Sequence, residues 1–306
     1  MIHRVLHFLK FYLFVNLCRE FLHILGLWSI TIPKDLQKAL KKFILVNQKY
    51  WNGDKSYEPS ILIGGHLSQY GPNYAFRSAL AAKAIQEKKS LGIEVVCNGF
   101  SHQWKQSCQI YSSFKIENFL FLENLFPFHN LFFSLRSTFT TFNNMFQLKT
   151  PSDILKIKFN DIYVGDLIYD EILRITNQPT VKKISWPSFK VIKRSWYFYY
   201  QYQKLLSPNK YDYYITTHTA YPEYGLLCRV ALEKNITVIE TSDIQMSTYN
   251  TISDTNLPTY HQGINNEINS AINHNDLPVE FWMEKAKKSI YKRLNSENKQ
   301  INTSLP

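Results

Sequence analysis

Apolar residues recur at two periods along this chain, and the places where the period changes mark out its elements. From Lys34, the run KDLQKALKKFILVNQKYW repeats its apolar positions every three to four residues. It predicts a helix, closed by the turn signal Asn52-Gly53-Asp54. Ile61-Leu62-Ile63 is a short apolar run that leads into Gly64-Gly65-His66, the pattern of a buried strand feeding a glycine turn. Gly71-Pro72 then opens a helix to about Lys89, with proline where no intrahelical donor is lost. Ala75, Ala79, Ala81, Ala82 and Ala84 give that helix a thin face suited to close packing on a sheet. After the turn at Leu91-Gly92, Ile93-Glu94-Val95-Val96-Cys97 predicts the next strand. Strand, glycine turn, helix and strand in this order form a βαβ unit.

Residues 100–150 are rich in Phe and Asn, and mixed helix and loop is expected there. LKIKFNDIYVG, ending at Gly165, alternates well enough for a strand pair or a bent strand. A helix follows to about Thr176, and Trp186-Pro187 precedes a long aromatic helix from Ser188 to Leu206, ended by Ser207-Pro208-Asn209. A strand at Tyr213–Thr217, a helix at Glu223–Lys234 and a strand at Thr237–Glu240 make a second βαβ unit. The pattern therefore predicts the α/β class, with a mostly parallel sheet flanked by helices. Residues 33–292 are expected to form one domain, 1–32 an amphipathic N-terminal helix and 293–306 a polar tail.

The first thirty residues are strongly apolar, but Arg4, Lys10, Arg19 and Glu20 interrupt them. The uncharged runs, Phe11–Cys18 and Phe21–Pro33, fall short of the roughly 20 apolar residues that a spanning helix needs. Two readings remain: a helix lying on a membrane surface, or one buried against the domain or a partner. Over the whole chain, 45% of residues are apolar and 19% charged, a globular balance. The net charge of +11 is compatible with nucleic acid, anionic headgroups or phosphorylated ligands. Its basic residues, however, fall in isolated pairs such as Lys41-Lys42, Lys182-Lys183 and Lys193-Arg194, so nucleic acid is not an expected partner. Cys18, Cys97, Cys108 and Cys228 lie far apart without CxxC pairing and read as small core residues of a cytoplasmic, reducing compartment. The histidines form neither HxH nor HExxH, so no metal site and no cofactor are expected.

Open parallel sheets bind ligands outside the carboxyl ends of their strands. Three polar groups fall at such ends. The first is Gly64, Gly65 and His66, with Asn73 just beyond. Its glycines allow close backbone approach and the next helix N-terminus favours an anion, although a tight turn capped by the histidine explains the same residues. The second is Gly165-Asp166. The third is His218, followed by Tyr221, Glu223 and Tyr224. His218 reads as a general base or phosphate contact, or as a satisfied structural group. In VGDLIYDEILR, residues 164–174, Asp166, Asp170 and Arg174 lie four apart on one helical face. Asp170 and Arg174 suit a pair worth roughly 0.2–0.5 kcal/mol if exposed, and Asp166 suits an N-cap. Only Glu171 is left without a structural role. The spacing is not the DxD that chelates a metal-bound nucleotide diphosphate.

VGDLIYDEILR, followed further on by THTAYPEYGLLCRVALEKNITVI, resembles bacterial capsular and surface polysaccharide biosynthesis proteins of the glycosyltransferase type. The matching positions are Gly165, Asp166, Leu167, Ile168, Tyr169, Asp170 and Arg174, then His218, Tyr221, Tyr224, Gly225 and Arg229. The resemblance extends over about residues 150–242 and more weakly over 58–100. It implies a Rossmann-like domain similar to the N-terminal, acceptor-side half of a GT-B glycosyltransferase. Sugar would pass from a nucleotide-sugar to a glycan or lipid-linked acceptor. Because they lie at or just after predicted strand C-termini, His218 and Glu223 are expected as catalytic residues, with His66, Asp166 and Tyr221 lining the cleft. No donor-side units are expected within these 306 residues, so the alternative is a non-catalytic binding domain completed by a separate donor-domain chain. The basic charge and the N-terminal segment would suit peripheral work at the inner membrane.

Overall fold

The computed structural model of the chain describes residues 34–51, 58–65, 72–98, 104–122, 127–207, 210–241 and 246–250, with 284, 287 and 288. The expected N-terminal helix over 1–32, the tail over 293–306 and His66 lie outside the described residues. The chain divides into two compact units, Met1–Asn250 and Thr251–Pro306, and every element below belongs to the first.

Helix α1 (Lys34–Asn47) precedes β1 (Pro59–Gly64), α2 (Pro72–Lys89) and β2 (Gly92–Cys97). Then come α3 (Lys105–Ser113), β3 (Phe119–Phe121) and the long α4 (Pro127–Gln147). A 3₁₀ turn (Pro151–Lys156) leads to the hairpin β4 (Lys158–Phe159) and β5 (Ile162–Tyr163), and to helices α5 (Gly165–Thr176) and α6 (Trp186–Leu205). Strand β6 (Tyr213–Thr216), a π-helical turn (Tyr221–Gly225), α7 (Leu226–Glu233), β7 (Thr237–Thr241) and β8 (Met246–Tyr249) follow, the last among the described residues of the unit.

Six strands form one sheet in the order β3-β2-β1-β6-β7-β8, parallel throughout except for β8, which runs antiparallel to β7. The fold is α/β and Rossmann-like. Ile61, Leu62 and Ile63 of β1 are fully buried, as a central strand covered on both faces must be. Ile61 and Ile63 join Ile93, Val95, Ile215 and the alanine face of α2 in one core layer with α3. Leu62 points the other way, in register with Tyr214, on the face covered by α7. Strand order reverses between β1 and β6, so their C-terminal ends mark the position at which such sheets bind ligands.

Two stretches differ from expectation. The described part of residues 100–150 holds two helices, α3 and the 21-residue α4, in keeping with the expected helix, and between them the strand β3, which the pattern did not indicate. Phe133, Ser137 and Thr141 of α4 are buried while its large apolar residues line the opposite, exposed side, the reverse of the pattern that marks a core helix. The strand pair expected near 155–165 exists, but only as two-residue strands outside the main sheet, preceded by the 3₁₀ turn. That turn starts with a Thr150–Asp153 capping box, in which the Thr150 amide donates to Asp153 Oδ2 at 2.8 Å. Among the described residues no helix is long and apolar enough to cross a membrane.

Candidate functional site

At the end of β1, the glycines are required by internal packing. A Cβ on Gly64 would run into the Tyr214 hydroxyl, and one on Gly65 would lie 2.8 Å from Trp104 Cζ3 and from the Val96 carbonyl. The Gly65 amide donates to that carbonyl at 2.8 Å. Asn73 sits exposed on the first turn of α2, where its own carbonyl accepts from Arg77 Nε at 3.4 Å.

The Gly165-Asp166 pair is also absorbed by packing. A Cβ on Gly165 would meet the Ile154 and Leu155 backbone, which lets α5 start against the 3₁₀ turn. Val164, not Asp166, is the N-cap. The Asp166 carboxylate takes a two-pronged bond from Arg229 of α7, at 2.7 Å to Oδ1 and 2.6 Å to Oδ2. Arg229 is 2% exposed and also donates to the Tyr163 carbonyl. The two segments that carry the family resemblance are thus joined by a buried ion pair, whose carboxylate is committed to α7.

At the end of β6, the strand finishes in Thr216, whose hydroxyl donates to the His218 carbonyl at 2.9 Å. This hydrogen bond turns the chain so that half-buried His218 lies between two tyrosines, with ring centroids 5.4 Å from Tyr221 and 5.7 Å from Tyr224. Tyr221 holds a left-handed backbone, φ 61°, unusual for an aromatic residue, and it begins the π-helical turn. Such turns gather at functional sites, and the strain of a non-glycine residue in this region is of order 1–3 kcal/mol. Gly225 closes the turn, since a Cβ there would collide with the Thr219 carbonyl and the Leu167 side chain.

A chain of charged groups runs along this edge. Glu171 of α5, 5% exposed, accepts the fork of Arg174 at 2.8 Å on each oxygen. Arg194 of α6 lies 3.7 Å from the same carboxylate and donates to Glu223 Oε2 at 3.0 Å. Glu223 also meets Asn98 Nδ2, just beyond β2, at 3.5 Å. The Tyr202 hydroxyl fixes the turn from below by donating to the Glu223 carbonyl at 2.6 Å. The guanidinium of Arg174, half exposed, sits 4.9 Å over the Tyr221 ring, which links the charged groups to His218. Burial, and then the charge of Arg174, push the His218 pKa below its ordinary value, so the imidazole is neutral at pH 7.

The structure therefore brings together His218, Tyr221, Glu223 and Tyr224, while Gly64 and Gly65 lie at the end of the adjacent strand β1, packed on Tyr214 and Trp104. Sequence reasoning did not find Glu171, Arg194, Asn98 or Tyr202. The fork of Arg174 goes to Glu171, a buried acid that needs a cation, where the spacing had offered it to Asp170. Asn98 had a usable signal, because it follows the last residue of a predicted parallel strand. Arg194 had none, since it reaches the site from mid-helix. The assembled groups can donate to and accept from hydroxyls, stack a ring face and take up one proton. Among the described residues, no three His, Cys, Asp or Glu side chains come together as metal ligands. Comparison with protein-family models, with curated proteins and with solved structures finds no match for this chain.

Proposed function

We propose that this chain is the acceptor-side domain of a glycosyltransferase of bacterial surface polysaccharide biosynthesis, and that the cluster at the end of β6 holds the acceptor sugar. The observation that carries this reading is charge balance at the switch point. Arg174 and Arg194 are matched by Glu171 and Glu223, with a neutral imidazole beside them. A balanced set of planar donors and acceptors next to two tyrosines suits a polyhydroxyl ring better than a diphosphate, which calls for excess positive charge. The resemblance over residues 150–242 supplies the reaction class.

In this reading, an acceptor hydroxyl lies against His218 and its oxygen attacks the anomeric carbon of a nucleotide-sugar. The bond from that carbon to the diphosphate oxygen breaks, the nucleoside diphosphate leaves with the bonding pair, and the imidazole takes the hydroxyl proton. Glu223, held by Arg194 and Asn98, accepts from a neighbouring hydroxyl and orients the ring.

The test incubates the full chain with a panel of nucleotide-sugars, with and without oligosaccharide or lipid-linked acceptors, and measures released nucleotide. Acceptor-dependent release should fall at least about 100-fold in His218→Ala, the size expected on losing a general base. Glu223→Gln should raise the acceptor KM about tenfold, as loss of a charge-assisted bond does. Release that is unchanged in His218→Ala would sink the assignment. Saturation-transfer NMR with the same oligosaccharides separates holding from transfer. Acceptor binding without turnover identifies the alternative, an acceptor-holding chain that needs a donor-domain partner.

A further inference from the structure

Helix α4 lays one face on α6, where Trp196 Nε1 donates to Asn144 Oδ1 at 2.8 Å and the hydroxyls of Thr140 and Tyr200 pair at 3.1 Å. Its opposite face is apolar and open. Leu131, Phe132, Leu135, Phe139, Phe142 and Phe146 are 60%, 58%, 40%, 70%, 46% and 86% exposed. From Phe132 onward, these positions step by three and four residues in alternation, which aligns them in one stripe along the helix. Phe142 continues the stripe through Phe189, at 4.9 Å, to Trp186, which stacks on Phe189 at 5.0 Å and is itself half exposed. With aromatic side chains of about 150–250 Å² each, the open apolar area is on the order of 700 Å². That exceeds the usual largest patch of a monomer.

The charges around the stripe point to its occupant. From Asn124 to Ser152 the chain carries no Asp or Glu, and Arg136 and Lys149 are its charged residues there. Next to Trp186 stand the exposed Lys182 and Lys183, and the Lys190 ammonium lies 5.9 Å over the indole. An apolar stripe edged with lysines and a tryptophan matches an anionic bilayer, where rings enter the headgroup–acyl boundary and ammonium groups stay with the phosphates. A second copy of the chain would bring a face without acids against another of the same kind. The helix also satisfies its own hydroxyls. Thr138, Thr140 and Thr141 donate to carbonyls four residues back at 2.7, 2.9 and 2.6 Å, so little unmet polar demand would enter an apolar layer.

We infer that the outer face of α4, extended by Trp186, docks on an anionic lipid surface. This inference is independent of the sugar-binding reading and invokes no residue of the site.

The full chain is tested by co-sedimentation with vesicles of phosphatidylglycerol and phosphatidylethanolamine, and with vesicles of phosphatidylcholine alone. The wild type should partition at least tenfold more strongly into the anionic vesicles. The double variant Phe139→Ser with Phe146→Ser should lower that partition at least tenfold while keeping the wild-type circular dichroism and Tm, since both side chains are exposed. Lys182→Glu with Lys190→Glu should remove the preference for anionic lipid. Equal partition of wild type and the serine variant overturns the inference, as does failure of the wild type to bind anionic vesicles. Light scattering provides the competing outcome. A lipid-free wild-type dimer that the serine variant converts to a monomer, with no change in vesicle binding, assigns the face to a second copy instead.

Discussion

A carboxylate buried as deeply as Glu171 keeps its charge only where cations reach it, and it holds two arginines from different helices. Replacing it with Ala should release both guanidinium groups, each half exposed, so the stability loss should be modest, about 1–2 kcal/mol after solvent screening. The larger effect should fall on ligand binding, because Arg174 and Arg194 would lose their spacing. Urea unfolding and oligosaccharide titration on the same variant separate the two. His218 makes a pH prediction. Its folded pKa lies below the ordinary 6.5, so the unfolded chain takes up the proton first as pH falls. Its contribution is therefore fully present above about pH 6.5 and is lost as pH drops toward the folded pKa. Tm measured between pH 7.5 and 5 should fall less steeply in His218→Asn than in the wild type; parallel curves would remove His218 from the account. At this scale, part of the site was legible. His218 and Glu223 follow a predicted strand end, where the rule for parallel sheets looks for ligands. Arg194 comes from a helix 29 residues before Glu223, and no local pattern encodes such a meeting.

Helix α5 is tied to the rest of the fold by a contact that spans 63 residues, the Asp166–Arg229 fork. With Arg229 at 2% exposure, Asp166→Ala should leave a buried, uncompensated cation and cost about 3–5 kcal/mol, measured by urea unfolding. The double variant Asp166→Ala with Arg229→Met should recover much of that loss, because it removes the stranded charge as well. Full additivity of the two single effects would contradict the pairing. The elements themselves were legible where chemistry marks both ends. Proline opens α2 at Pro72 and Gly165 opens α5, and both helices run within a residue or two of their predicted limits. Helix α4 was not legible, since its large apolar residues face outward while Ser137, Thr141 and Asn144 lie on the side that packs on α6. Strand β8 shows alternating exposure and packs at an edge, which leaves a weak pattern in so short a run.

The order of strands in the sheet decides where the molecule is hardest to open. Two βαβ units predict parallel pairs, but they do not say that β1 and β6, separated by some 150 residues, are neighbours. That adjacency depends on long-range packing: Leu62 pairs in register with Tyr214, although every element from α2 to α6 lies between the two strands in the sequence. Both edges of β1 are hydrogen-bonded and its three central side chains are fully buried, so its amides should exchange with solvent only through global unfolding. Strand β8 has β7 on one side, and Met246 is well exposed. Its amides should exchange through a local opening that leaves the rest of the sheet intact. Hydrogen exchange followed by NMR or mass spectrometry should therefore show residues 61–63 at least about 100-fold slower than 246–249, a gap of roughly 2.7 kcal/mol in opening free energy. Leu62→Ala adds an independent check. It should lower global stability by about 2–5 kcal/mol and speed exchange in β1 by the matching factor, while exchange in β8 stays unchanged. If β8 instead slowed to the rate of β1, the edge would be covered in solution and the sheet would not end there.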